Sequence, residues 1–76
     1  MGFAYDELGN YNKGIECYRK AIELDPKDAY PWSNMGVSYY YLGNYIKAVE
    51  YLQKAVQLEP DNKTFQENLA IALKKL

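Results

Sequence analysis

Residues 8–26 read LGNYNKGIECYRKAIELDP, and residues 42–60 read LGNYIKAVEYLQKAVQLEP. Laid over one another at an offset of 34, the two stretches coincide at Leu8/Leu42, Gly9/Gly43, Asn10/Asn44, Tyr11/Tyr45, Lys13/Lys47, Glu16/Glu50, Lys20/Lys54, Ala21/Ala55, Leu24/Leu58 and Pro26/Pro60, ten of nineteen places. Most other pairs exchange like for like, as in Ile15/Val49 and Ile22/Val56, and upstream Gly2/Gly36 and Tyr5/Tyr39 also match. A fixed period between about 20 and 50 residues is the signature of stacked repeat units, each too small to bury its apolar face alone.

The spacing inside each copy predicts helices. Tyr11, Gly14, Ile15, Tyr18, Ala21 and Ile22 recur at three- and four-residue steps, and so do Tyr45, Ala48, Val49, Leu52, Ala55 and Val56. Each set makes one stripe on a helix. The Gly-Asn pairs at 9–10 and 43–44 interrupt the chain just before these helices, with Asn suited to a turn or an N-cap. Pro26 and Pro60 stop them. Between the copies, Trp32, Met35, Gly36, Tyr39 and Leu42 keep helical spacing, Asp28 is placed to cap, and Pro31 falls in the first turn, where a missing N–H costs little. The tail predicts one more helix, capped by Asp61 or Asn62, with Phe65, Leu69, Ala72, Leu73 and Leu76 as its stripe. Lys74 and Lys75 suit the negative end of its dipole.

The 34-residue unit resembles the tetratricopeptide repeat. Trp32, Gly36, Tyr39, Gly43, Tyr45, Ala48, Ala55 and Pro60 all stand where that family's pattern wants their residue types. The resemblance covers essentially all of residues 1–76 and implies an all-α fold, with antiparallel helix pairs stacked in a short right-handed solenoid. Residues 1–26 then form a repeat whose first helix is a stub over residues 2–8. Residues 29–60 form a complete repeat, and residues 61–76 a closing helix. Trp32, Gly36, Tyr39, Ala48 and Ala55 are expected to be structural: Gly36 and Ala48 let paired helices approach, and Ala55 admits the next one. Gly14 departs from the family's usual Ala, at about 1 kcal/mol of helix propensity.

Composition closes off several classes. Seventy-six residues make one small domain at most. One cysteine, Cys17, permits no internal disulfide, and with no histidine the usual zinc sites are not expected. A net charge of −1 and interspersed Lys and Glu argue against a nucleic-acid partner. No apolar run approaches the ~18 residues of a membrane span, and MGFAYDEL lacks the basic start and apolar core of a signal peptide. A cytoplasmic location is the resulting expectation. Asp6 and Glu7 are helical neighbours that do not face each other, Cys17 has no His to activate it, and GNYNKG lacks the GK[ST] ending of a phosphate loop. Enzymatic activity, metals and cofactors are therefore not expected, and Cys17 reads as a small helix residue where the next copy has Tyr51.

The resemblance places a ligand groove on the inner side of each first helix. Tyr30, Asn34, Val37, Tyr40 and Tyr41 of the central repeat are expected there, with Ser33 beside them. Phe3, Asp6 and Glu7 join from the stub, and Asn68, Lys74 and Lys75 join from the last helix, with Thr64, Glu67 and Ile71 on the same face. Asn34 and Asn68 stand one repeat apart, so they could form an amide ladder toward a peptide backbone. The family's clamp for an acidic C-terminal motif is not expected, because Phe3, Thr64 and Asn68 occupy its Asn, Lys and Arg places. Rings and amides in a groove suit a peptide or partner segment. Two alternatives stand beside this module. One is an assembly unit that self-associates through exposed repeat ends, since about three repeats are normally needed for stability. The other is an accessory segment cut from a longer protein.

Overall fold

Short polar side chains set the helix starts in the computed structural model, which describes residues 11–76. Four helices form among these residues: α1 (Tyr11–Leu24), α2 (Ala29–Leu42), α3 (Tyr45–Leu58) and α4 (Lys63–Leu73). The Asp28 carboxylate accepts from the Tyr30 amide at 3.1 Å, the Asn44 carbonyl from Lys47 at 3.2 Å and the Asn62 carbonyl from Phe65 at 3.1 Å. Each satisfies an amide that the first helical turn leaves without an intrahelical acceptor. Of the two caps open for α4, Asn62 is the one used, and its amide also donates to Glu59 at 3.2 Å. The stub expected over residues 2–8, with Phe3, Asp6 and Glu7, lies outside the described residues.

The Gly-Asn pair ends one helix and starts the next within two residues. Gly43 takes a left-handed φ of 88°, its amide donates to the Tyr40 carbonyl at 3.1 Å, and the Asn44 amide reaches the Tyr39 carbonyl at 2.9 Å. This pair of bonds closes the helix end as a Schellman motif. A connection so short folds α3 back antiparallel along α2 over most of its ~21 Å length.

Small residues let these helices touch. A Cβ on Gly36 would stand 2.6 Å from Leu52 Cγ and 3.1 Å from the Ala48 carbonyl oxygen, so only glycine fits the present spacing. Ala48, Val49, Leu52 and Ala72 bury together, with Val37, Tyr39, Tyr40 and Leu69 packed around them. Ala29, Ala55 and Phe65 form a second cluster, with Trp32, Val56 and Leu58 at its margin. Met35 and Leu52 are almost wholly covered, each contributing about 1.5–3 kcal/mol by burial. Trp32 also ties α2 to the preceding turn, its indole N–H donating to the Pro26 carbonyl at 2.9 Å.

Two expectations are corrected. Ser33, expected in the groove, is buried at 4% exposure. Its helix packs against α1 and α3 along its length and touches α4 as well, so much of its circumference is covered. No buried side-chain polar atom among the described residues lacks a hydrogen-bond partner, so this burial leaves no orphan. Leu73 and Leu76, expected in the α4 stripe, are exposed at 46% and 69%. α4 packs chiefly on α3, which covers Phe65 and Ala72 and leaves the flank carrying Leu73 bare.

Candidate functional site

α2 and α4 carry the same pattern one repeat apart. Tyr30, Asn34, Val37 and Tyr41 follow one another at steps of four, three and four along α2, and Thr64, Asn68, Ile71 and Lys75 do so along α4 and its end. Such steps return a side chain to nearly the same face of a helix, so each set is one stripe. Where the two stripes meet, Val37, Tyr40 and Tyr41 of α2 and Asn68 and Ile71 of α4 surround a hollow of about 70 Å³, floored by Leu52 of α3. That is well above the ~10–15 Å³ of such space that admits one water.

Tyr40 and Tyr41 form one side of the hollow and belong to a longer row of rings. Tyr11 of α1 stacks on Tyr41 with centroids 5.8 Å apart, Tyr41 meets Tyr40 edge-on at 5.5 Å, and Tyr40 meets Tyr45 edge-on at 5.3 Å. Offset-stacked and edge-to-face pairs are the favoured aromatic geometries, so each ring helps fix the next. Tyr41 remains 61% exposed, so its ring is available to a ligand. Among the described residues the lining is apolar apart from the tyrosyl hydroxyls and the Asn68 amide.

The eight residues singled out from the sequence thus divide. Val37, Tyr40, Tyr41 and Asn68 come together around the hollow. Asn34 lies one turn back along the α2 stripe, exposed and outside the lining. Tyr30 sits at the opposite end of α2, where its ring meets Phe65 edge-on at 5.3 Å. Lys75 lies outside this hollow, in a separate one with Tyr45 and Ile46, its ammonium 5.9 Å from the centre of the Tyr45 ring, and Lys74 caps the end of α4. Sequence reading missed Leu52 as part of this hollow and Tyr11 as the ring stacked behind Tyr41, because both sit in stripes that spell core packing. The pairing of Tyr11 with Tyr45 at an offset of 34 was the available signal.

A second aromatic row runs between α2 and α3. Trp32 and Tyr39 flank Tyr51 at 5.8 and 5.4 Å, and Lys54 and Lys47 lie over Trp32 and Tyr39. It joins the paired helices through residues already assigned to packing. Cys17 is exposed on α1. Among the described residues no cluster of His, Cys, Asp or Glu could hold a metal ion, and no helix is long and apolar enough to cross a membrane.

The helix pair, its glycine-tight crossing and the stripe repeated one unit later have a counterpart among known families. A family model described as tetratricopeptide repeat matches residues 29–62, and one described as TPR repeat matches residues 2–43. The chain belongs to the tetratricopeptide repeat family. No curated protein matches it. Tetratricopeptide repeats mediate contacts between proteins and are typically non-catalytic modules. In this tetratricopeptide unit Trp32, Gly36, Ala48 and Ala55 hold the helices together.

Proposed function

We propose that the chain is a non-enzymatic interaction module that holds a peptide or partner segment along the surface between α2 and α4. The observation that carries this reading is the hollow formed by Val37, Tyr40, Tyr41, Asn68 and Ile71 over Leu52. Two helices contribute to it, so its shape depends on the repeat stack rather than on one helix alone. A rigid, mostly apolar depression with a few polar groups is what small binding sites share.

The test is selection of ligands from a random peptide library, followed by mapping on the ¹⁵N-labelled chain. Amide shifts should cluster at residues 37–41 and 68–71. Tyr40→Ala combined with Tyr41→Ala should remove binding while the molar mass by light scattering stays unchanged. Ligands whose shifts map elsewhere would refute the groove.

Assembly is the second reading, and one observation favours it. Leu42, Ile46 and Leu76 are 41%, 67% and 69% exposed and line one broad surface hollow with Tyr45 and Lys75. Apolar residues grouped in this way favour contact with a second copy. A molar mass that rises with concentration and falls in an Ile46→Lys variant would establish this reading. A mass near 8.8 kDa throughout would exclude it.

A further inference from the structure

We infer that α4 carries a docking face of its own and that a second copy of the chain occupies it, α4 against α4 and antiparallel. This rests on the assembly reading, in which copies meet, but places the contact on α4 rather than at Ile46.

The internal repeat identifies the face. In α2, Trp32, Gly36 and Tyr39 face α3: both rings meet Tyr51, and Gly36 lies against Leu52 and Ala48. One repeat on, the same places in α4 hold Gln66, Ala70 and Leu73, all exposed. Gln66 keeps the anchor of Trp32, since its side-chain amide donates to the Pro60 carbonyl as the indole does to the Pro26 carbonyl. α4 rests on its own neighbours through other residues, Phe65, Leu69 and Ala72. The face with which α2 holds an antiparallel helix is thus repeated on α4 and exposed there.

Size decides what crosses it. A Cβ on Gly36 would stand 2.6 Å from Leu52 Cγ, so a helix with leucine at the crossing needs glycine opposite. Ala70 already carries that carbon. A helix accepted at the same spacing must present a smaller residue there, and Ala70 of another copy does.

Charge decides the direction. Glu67 and Lys74 are exposed on the flank of Ala70 opposite to Gln66 and Leu73, one turn before it and one turn after. With Ala70 on Ala70, an antiparallel copy sets each Glu67 beside the other copy's Lys74, and each Leu73 beside the other's Gln66. Parallel copies would set Glu67 on Glu67 and Lys74 on Lys74. The helix ends agree: Glu59 and Asp61 outnumber Lys63 at one end, and Lys74 and Lys75 stand at the other. Such a contact is isologous and closes at two copies. One helix on one helix is small for a specific interface, so the dimer is weak.

The experiment is sedimentation equilibrium of the full chain over a wide concentration range. Mean mass should climb from 8.8 kDa toward twice that value. Glu67→Lys or Lys74→Glu alone should raise the dissociation constant about tenfold, as attraction at both symmetric places turns to repulsion. Mixing the two variants should restore association. Ala70→Glu should hold the chain monomeric with its circular dichroism unchanged, because the position is exposed. A climb that these α4 changes leave alone would overturn the proposal; if Ile46→Lys abolishes that climb, the assembly reading stands without it. A mass of 8.8 kDa throughout would remove both. Amide shifts at residues 66–73 on adding a synthetic peptide of residues 45–58, in a chain that stays monomeric, would give the face to a helix of another kind and overturn the second copy.

Discussion

Gly36 is where the fold and the groove meet, so Gly36→Ala is the most informative single change. A methyl there would stand 2.6 Å from Leu52 Cγ, 3.0 Å from its Cδ2 and 3.1 Å from the Ala48 carbonyl oxygen. The first of these is a branch carbon, which cannot swing aside as a chain tip could, and the third is helix backbone. Alanine would gain about 1 kcal/mol of helix propensity over glycine. Forcing an extra carbon into a packed contact costs about 1–3 kcal/mol. With backbone on one side and a branch point on the other, the upper part of that range applies, and we expect a net loss of ~1–2 kcal/mol. For a chain of this size that lowers Tm by about 4–8 °C per kcal/mol.

The assay is urea denaturation followed by far-UV circular dichroism and Trp32 fluorescence. The midpoint should fall with the slope unchanged, since the surface exposed on unfolding is the same. Leu52 also floors the hollow, so Gly36→Ala should disturb amide shifts at Val37, Asn68 and Ile71. Gly43→Ala is the matched control. Nothing lies within 4 Å of its missing Cβ, but its φ of 88° strains any other residue, at a cost of about 1–2 kcal/mol. It should therefore destabilise to a similar degree while leaving the hollow's shifts in place. Gly36→Ala equal to or more stable than the parent would refute the close-approach argument, because propensity would then outweigh contact.

Three further outcomes are expected. Leu52→Ala should cost about 3–5 kcal/mol by cavity formation and lost burial, enough to unfold much of a chain this small, as near-loss of helical circular dichroism would show. Asn62→Ala removes the carbonyl that caps Phe65, and should cost ~1 kcal/mol in the denaturation midpoint. Trp32→Phe keeps a ring but loses the donor to the Pro26 carbonyl, which is exposed and can turn to water; it should cost about 1 kcal/mol or less in thermal unfolding.

The helices were legible because their boundaries are chemical. Asn44 both ends the Gly-Asn turn and caps α3, and prolines at 26 and 60 stand two residues past the last turns of α1 and α3. Packing was legible where it depends on smallness, as at Gly36, Ala48 and Ala55. What failed was the count of neighbours around each helix. Periodicity marks a stripe but not how many helices will cover it. Ser33 disappeared because α2 is covered on several sides, and Leu73 stayed bare because α4 rests chiefly on one. Lys75 and Tyr30 share stripes with groove residues, yet each sits at the far end of its stripe, a distance that face assignment alone does not register.

The offset of 34 also separates two kinds of position, and on the proposed function the separation is what lets a small fold host a site. Met35 and Gly36, buried in α2, keep their residue class one repeat on: Gly36 pairs with Ala70, which is exposed on α4, and Met35 with the half-buried Leu69. Along the stripes the pairs are Tyr30/Thr64, Asn34/Asn68, Val37/Ile71 and Tyr41/Lys75, and only the middle two keep their chemistry. Val37 packs on the Ala48–Leu52 cluster, but Tyr30 and Tyr41 at the ends of the stripe carry little of the packing, at 57% and 61% exposure. They are free to vary at small cost in stability. It follows that Tyr41→Ala and Gly36→Ala should fail differently. The first should lose ligand with the fold intact, and the second should lose stability and reshape the hollow through Leu52. If Tyr41→Ala instead lowers the denaturation midpoint as far as Gly36→Ala does, the Tyr11–Tyr41 stack is part of the core. The division of labour between packing face and groove face would then be wrong.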